Sequence, residues 1–439
     1  MHKLYFLIFF ILNPIILFSQ EGFQFNSNKK KITVPFQLIN NLIVMPIEIN
    51  GVKLNFLLDT GVEKTVLFSL EESDSVQFKN VEKIKIRGLG EGKSIDAFHS
   101  KQNTVTILDL IDTNHGVYII LDQEVNFSSQ LGIPVHGIIG HNFLKNYFIE
   151  VNYQKKKLSI YKRSIDFCLK KLKRYDEIPI SLELEKPYIL SYSTINKKKI
   201  KTKILIDTGG SDALWLFENE ENIKSPAVFF KDFLGRGLSG DIFGKRSRID
   251  KFEMGNQEIN FPTVSFPDTI SLKNINMVES RNGSVGSAIL KRFTILFDYP
   301  NSKMYVKKNG YFEDPFNYNM SGLEIQHNGL KWIQEVQELK TKFVKEETSI
   351  FENPEKTIKY NFELKPIYEI TNVRPESPAE KVGIIKGDKI IKINNKQSFK
   401  YTLQEINQIM QSDDGRTITL EVERNKKTLT FKFQLQKIL

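Results

Sequence analysis

A single cysteine, Cys168, stands in 439 residues, which excludes an intramolecular disulfide and a cysteine-rich zinc site. Between Phe167 and Leu169 it reads as a small buried hydrophobe. Histidine is also scarce, six in all. There is no H-E-x-x-H, and His99, His115, His136, His141 and His327 are isolated, as surface or internally satisfied side chains are. His136 and His141 flank a Gly-Ile-Ile-Gly segment but have no counterpart later in the chain, so they carry no assignment. G-x-S-x-G and P-loop patterns are missing, which removes the usual serine-hydrolase elbow and phosphate cradle. Nothing requires a metal or a cofactor. Beyond the N-terminus no apolar run reaches the roughly twenty residues of a bilayer span.

What is present begins with positive charge. Lys and Arg outnumber Asp and Glu by 62 to 52, a net +10. The lysines are scattered, and Lys155–Lys157 and Lys197–Lys199 fall where hairpin turns are expected. A solvated basic surface is therefore the reading, with no nucleic-acid partner. At the N-terminus, Met1-His2-Lys3 precedes an apolar run from Leu4 to Phe18, interrupted at Asn13-Pro14. Ser19-Gln20-Glu21 then returns to polar sequence. This predicts a signal peptide over 1–20 and an exported protein, periplasmic or secreted, with no integral span after cleavage.

The chain repeats itself. Ile47 to Gly61 and Thr194 to Gly209 are each a β-rich arm, a polar turn, then an apolar strand ending in Asp-Thr-Gly. Asn50-Gly51 is a strong hairpin signal, since both turn positions need positive φ. Two more landmarks repeat: the glycine clusters at 88, 90 and 92 and at 235, 237 and 240, and the segments ending at Gly140 and Gly286. The spacing is 148 residues for the aspartates (59 to 207), 147 for the first glycines (88 to 235) and 146 for the last (140 to 286). Each copy closes on a strand–turn–strand pattern. Two β-rich lobes, about 30–163 and 175–308, related by pseudo-twofold symmetry, are expected. Short helical pieces follow the paired glycines at 141–145 and 287–291.

Two aspartates at equivalent positions of a duplicated lobe suggest a specific chemistry. Carboxylates brought together at a symmetry axis cannot both ionise easily, so they share a proton and titrate as a pair. One then acts as base toward water while the other polarises a carbonyl. Asp59 and Asp207 are the candidate catalytic pair. Thr60 and Thr208 offer hydroxyls for bonds across the axis, and Gly61 and Gly209 let the two loops approach.

These motifs resemble the retropepsin/pepsin class of aspartic proteases, with both lobes in one chain, over about residues 30–308. The resemblance implies the mainly β acid-protease fold and an aspartic endopeptidase acting on peptides or proteins. It also implies that Ile139-Gly140 and Val285-Gly286 support the active-site loops. By the same resemblance, Gly88, Gly90 and Gly92, with Gly235, Gly237 and Gly240, belong to two flaps that close over substrate. Although Gly235 to Gly240 formally satisfies G-x-G-x-x-G, no helix follows, so the flap reading is preferred over a dinucleotide site. Val62 and Gly210 replace the hydroxyl residue common after the tripeptide. This predicts a less acidic working range than pepsin's. A catalytically inactive, peptide-binding envelope protein is the alternative reading.

The C-terminal part, 318–439, resembles a bacterial PDZ domain of α/β type. Ser377-Pro378-Ala379 opens a short helix, Gly383 ends it, Gly387-Asp388 turns into a strand, and Leu403–Met410 forms a second helix. The resemblance implies capture of a C-terminal peptide by a loop at Gly322, Leu323, Glu324 and Ile325. Apolar residues at Trp332, Ile333, Val336, Leu339 and Phe343 predict a helix over 330–346, inside a helical insertion at about 328–364.

Overall fold

Asn50 and Gly51 adopt φ of 49° and 90°, the left-handed pair that a two-residue hairpin turn demands. The turn folds Leu42–Ile49 against Val52–Leu58, pairing Val44 with Leu57. In the second copy Asn196 and Lys197 turn the same way, with φ of 50° and 64°. They pair Lys186–Ile195 with Lys198–Ile206, bringing Tyr188 opposite Leu205. Each second strand runs straight into its Asp-Thr-Gly. This computed structural model describes residues 22–70, 75–86, 88, 94–122, 127–162, 170–273, 277–338 and 358–439. The N-terminal apolar segment, Cys168, Gly90 and Gly92 lie outside them.

The fold is mainly β. One nine-stranded sheet and one ten-stranded sheet make the two lobes. A six-stranded sheet lies between them, in the order 176–179, 303–308, 293–298, 148–152, 157–161, 31–35. Its middle is the antiparallel contact of Phe148–Asn152 with Phe293–Asp298, pairing Ile149 with Phe297 and Val151 with Ile295. The strand–turn–strand pattern closing each copy thus ends in one shared sheet. Ile149, Val151, Ile295 and Phe297 are fully buried, in the same core cluster as Phe56 and Leu58 of one lobe and Ile204 and Ile206 of the other. The two lobes are halves of one core.

The short helices fall at His141–Leu144 and Ser287–Leu290, as the sequence suggests. In the PDZ unit, Ser377 accepts from Glu380 N–H to cap Pro378–Lys381. Thr402 and Glu405 form a capping box on Leu403–Met410. The helix expected over 330–346 is not formed. Leu323–Glu338 is one strand, paired antiparallel with Ile358–Val373 in a long hairpin, and 339–357 lie outside the described residues. In a strand alternate residues share a face, and the partner carries that alternation at Phe362 and Leu364, which like Trp332 are exposed. Trp332 stands opposite Leu364. Cross-strand pairing of this kind overrides a helical spacing read on one segment alone.

The PDZ unit packs onto both lobes. Phe230 of the second lobe belongs to the PDZ core cluster, and the Arg374 guanidinium lies 4.2 Å from its ring centroid. In the first lobe, Gly132 meets Leu403 so closely that an added Cβ would lie 2.9 Å from Leu403 Cβ. The connection out of the second lobe is gathered by buried Arg292. Its Nη1 donates to the carbonyls of Tyr311, Phe312 and Asp314 at 3.2, 2.8 and 2.5 Å, and its guanidinium sits 3.7 Å from the Phe316 ring centroid. Arg292→Met removes the guanidinium donor from all three carbonyls, of which that of Tyr311 keeps the Asp314 N–H. It should lower unfolding stability by about 2–4 kcal/mol, read as a fall in the urea midpoint; an unchanged midpoint would show that Arg292 does not hold this connection.

Candidate active site

The two Asp-Thr-Gly loops meet at the axis between the lobes. Thr60 N–H donates to Thr208 Oγ1 and Thr208 N–H donates to Thr60 Oγ1, both at 3.0 Å. Each hydroxyl then donates to the opposite strand, Thr60 to the Ile206 carbonyl at 2.6 Å and Thr208 to the Leu58 carbonyl at 2.8 Å. Both threonines are buried, so the reciprocal set satisfies groups that water does not reach. The segments beneath hold the loops: Asp59 N–H donates to the Ile139 carbonyl at 2.9 Å and Asp207 N–H to that of Val285 at 3.0 Å. Gly140 is needed there, because a Cβ would lie 2.2 Å from the Val62 carbonyl oxygen.

This frame turns Asp59 and Asp207 toward each other, close enough for their carboxyl groups to share a hydrogen bond. Glycine at 209 permits the approach, since a Cβ would lie 2.2 Å from Asp59 Cγ. Around the pair the donors are unequal. Asp59 Oδ1 accepts from Gly61 N–H at 2.6 Å. Asp207 Oδ1 accepts from Gly209 and Gly210 N–H at 3.0 and 2.9 Å. Burial, and then the neighbouring Asp207 charge, pushes the Asp59 carboxyl up to about 8. Burial also raises Asp207, but the Arg281 charge and the two glycine N–H groups oppose it. These surroundings favour the shared proton on Asp59 over Asp207.

The flaps close above. Phe230–Gly237 and Gly240–Arg248 form the second flap hairpin, with Gly237 opposite Gly240 at its end. The first is Val81–Ile86 paired with the start of Ile95–Ile107. Gly88 N–H donates to Ser239 Oγ at 3.0 Å, so the two flaps touch. A cleft of about 910 Å3 lies elsewhere, near Arg248, Arg292, Phe316 and Leu439. It contains neither aspartate.

Sequence reading missed the charges around this site. Arg246 of the second flap is buried and donates to Asp212 and Asp232, at 3.0 and 2.9 Å. Asp212 also accepts from Trp215 Nε1 and Ser265 Oγ, at 2.9 and 2.8 Å. Lys186 and Arg281 also flank the aspartates, and only strand register locates them. Among the histidines, buried His115 is satisfied by Asp112 and Thr65, both at 2.7 Å.

The expected peptide loop of the PDZ unit is engaged within the chain. Asn319 Oδ1 accepts from Ser321 and Gly322 N–H at 3.0 and 3.1 Å, and Leu323 N–H donates to Ser321 Oγ at 3.1 Å. Leu323 and Ile325 are buried in the PDZ core. Glu324 lies beside Asp232, Arg246 and Arg374; burial, then the Asp232 charge, pushes its carboxyl up to about 8.

The raised aspartates have a thermodynamic consequence. A carboxyl whose folded value exceeds its unfolded 3.8 holds a proton that the unfolded chain releases, so stability falls as pH rises from about 4 to about 8. Asp59→Asn removes that penalty. The variant should melt above the parent at pH 8, with the gap closing toward pH 4. Parallel melting curves across this range would show that Asp59 is not held protonated by the fold.

Residues 45–143 match the family model described as aspartyl protease, and 369–424 match the PDZ domain. Over 105 residues the chain is 33% identical to the retrovirus-related Pol polyprotein from transposon 412 of Drosophila melanogaster. That match takes in 23% of this chain and spans 7% of the polyprotein's own length. The crystal structure of an aspartic proteinase from Irpex lacteus aligns with 65% of this chain and 100% of its own, at 11% identity and a TM-score of 0.41. The chain thus carries a retropepsin-like aspartyl protease domain and, toward its C-terminus, a PDZ domain.

Proposed function

We propose that the protein is an aspartic endopeptidase in which Asp59 and Asp207 together activate water. The supporting observation is the unequal donor set around two aspartates that share a hydrogen bond. Asp207, steadied by two backbone N–H groups, takes a proton from water as that water attacks the peptide carbonyl. Asp59, kept protonated by burial, donates toward the carbonyl oxygen as it becomes an alkoxide. Collapse of the tetrahedral intermediate passes a proton to the leaving amine and restores the shared proton. The flaps exclude bulk water, which strengthens each of these interactions.

The PDZ unit, in the same proposal, recruits or positions peptide. Its packing against Phe230 places it at the base of the second flap, and a captured carboxylate has to displace the Asn319 side chain from the loop N–H groups. Export to the periplasm or beyond rests on the N-terminal apolar run.

Digestion of a mixed peptide library tests the reading. The parent should cleave it, and Asp59→Asn and Asp207→Asn should each lose at least about a thousandfold in kcat/KM, since neither partner alone activates water. Because the Asp59 proton is lost only near pH 8, activity should persist to neutral pH and decline above about 8. Absence of cleavage, cleavage equal in both variants, or a pH–rate profile centred near about 3 would each contradict it.

A further inference from the structure

The pseudo-twofold axis allows the two walls of the cleft to be compared station by station. In the first lobe, Val44 pairs with Leu57, which pairs with Ile138. In the second, Tyr188 pairs with Leu205, which pairs with Ser284. Two residues back along each outer strand, level with the aspartate, stand Leu42 and Lys186. Three residues before Ile138 and Ser284 stand Val135 and Arg281.

The first-lobe stations form a continuous apolar surface. Leu42, Val44, Leu57, Val135 and Ile138 belong to one buried cluster, and Leu238 of the second flap packs against it. Contact with a flap tip identifies this wall as facing the substrate channel. At the equivalent stations the second lobe keeps Leu205 but otherwise presents two cations, a tyrosine and a serine. Both cations lie close to the catalytic pair: Lys186 interacts electrostatically with Asp59 and Asp207, and Arg281 with Asp207.

Apart from the aspartate pair, neither cation is neutralised by a near partner, although Arg281 hydrogen-bonds the Tyr188 side chain. Arg281 Nε donates to the Gly283 carbonyl at 3.1 Å, and its guanidinium lies 5.3 Å from the Phe217 ring centroid. The nearby carboxylates are engaged with other lysines: Glu183 with Lys203 at 2.7 Å, Glu185 with Lys64 at 4.0 Å, and Glu63 with Lys64. Among the described residues no carboxylate comes within ion-pair distance of Lys186 or Arg281. The aspartate pair, sharing a proton, sets one negative charge against these two cations, and a largely enclosed cation left over is costly unless something anionic arrives. A purely structural role would leave that cost standing.

We propose that Lys186 and Arg281 form a carboxylate-recognition subsite in the second-lobe wall. The peptide bond cleaved then carries an apolar side chain against the first lobe and an Asp or Glu side chain against the second. This rests on the endopeptidase reading and names its substrate class. The two cations offset the repulsion between a substrate carboxylate and the adjacent catalytic aspartates, and guanidinium and ammonium together give charge-assisted bonds that a neutral residue cannot match.

The test uses end-capped peptides, so that only a side-chain carboxylate is available. One has Phe on both sides of the cleaved bond. The others place Glu, or Gln as its neutral match, on one side or the other. On one side Glu should exceed Gln in kcat/KM by about tenfold or more. Lys186→Gln and Arg281→Gln should each reduce that Glu-to-Gln ratio, and the pair together should bring it to about one or below. Lys186→Arg should preserve it, which separates loss of charge from loss of folding. Cleavage of the Phe peptide with no Glu preference on either side overturns the subsite alone, as does a preference that survives in the double variant. Failure to cleave any peptide overturns the endopeptidase reading itself.

Discussion

The reciprocal bonding of Thr60 and Thr208 is the constraint on which the site depends. Each threonine gives its amide to the other's hydroxyl and its hydroxyl to the other lobe's strand. Four bonds in a buried setting fix the spacing of two loops that come from strands 148 residues apart. Without that lock, two carboxylates facing each other would drive the loops apart. With it, their repulsion is relieved by protonation of one of them. The electrostatic state of the site thus follows from a mechanical one.

The lock itself depends on what lies behind it. Asp59 and Asp207 hang from strands whose buried residues share one core with the six-stranded sheet between the lobes. A shift of either lobe would disturb the central pairing of Ile149 with Phe297 before it changed the distance between the aspartates. On the open side, the flaps touch through Gly88 and Ser239. The second flap hairpin is further tied by Arg246 to Asp212, five residues after Asp207, and to Asp232 on its own other strand. Arg374 of the PDZ unit lies 3.8 Å from that same Asp232. A continuous set of charges therefore runs from the PDZ base through the flap to the edge of the site.

Much of this was legible in the sequence for local reasons. Asn50-Gly51 specifies its turn because few residues accept positive φ, and Thr402 with Glu405 specifies a helix start through its own hydrogen bonds. The paired tripeptides and glycines exposed the duplication, because close backbone approach tolerates no other residue. The helix expected over 330–346 failed for the complementary reason. Its apolar spacing is compatible with either structure, and the choice was made by a partner strand twenty to thirty-six residues away. Likewise the loop at 322–325 has the residues of a peptide-binding turn, yet Asn319 fills its N–H groups and Glu324 lies beside the charges of the second lobe.

The sequence by itself determined the duplicated Asp-Thr-Gly arms, the pairing of Asp59 with Asp207 and the PDZ unit, because each is written in short motifs whose geometry is local. Only the tertiary structure decided that the lobes share a sheet and a core, since pairing between distant strands leaves no mark in either strand alone. It alone also set the two aspartates in unequal surroundings, with the Arg281 charge and two N–H donors on Asp207 against one N–H donor on Asp59. The opposition of an apolar wall at Leu42 and Val135 to a basic one at Lys186 and Arg281 is of the same kind. A lysine and an arginine 95 residues apart acquire a joint meaning only when strand register sets both beside Asp207.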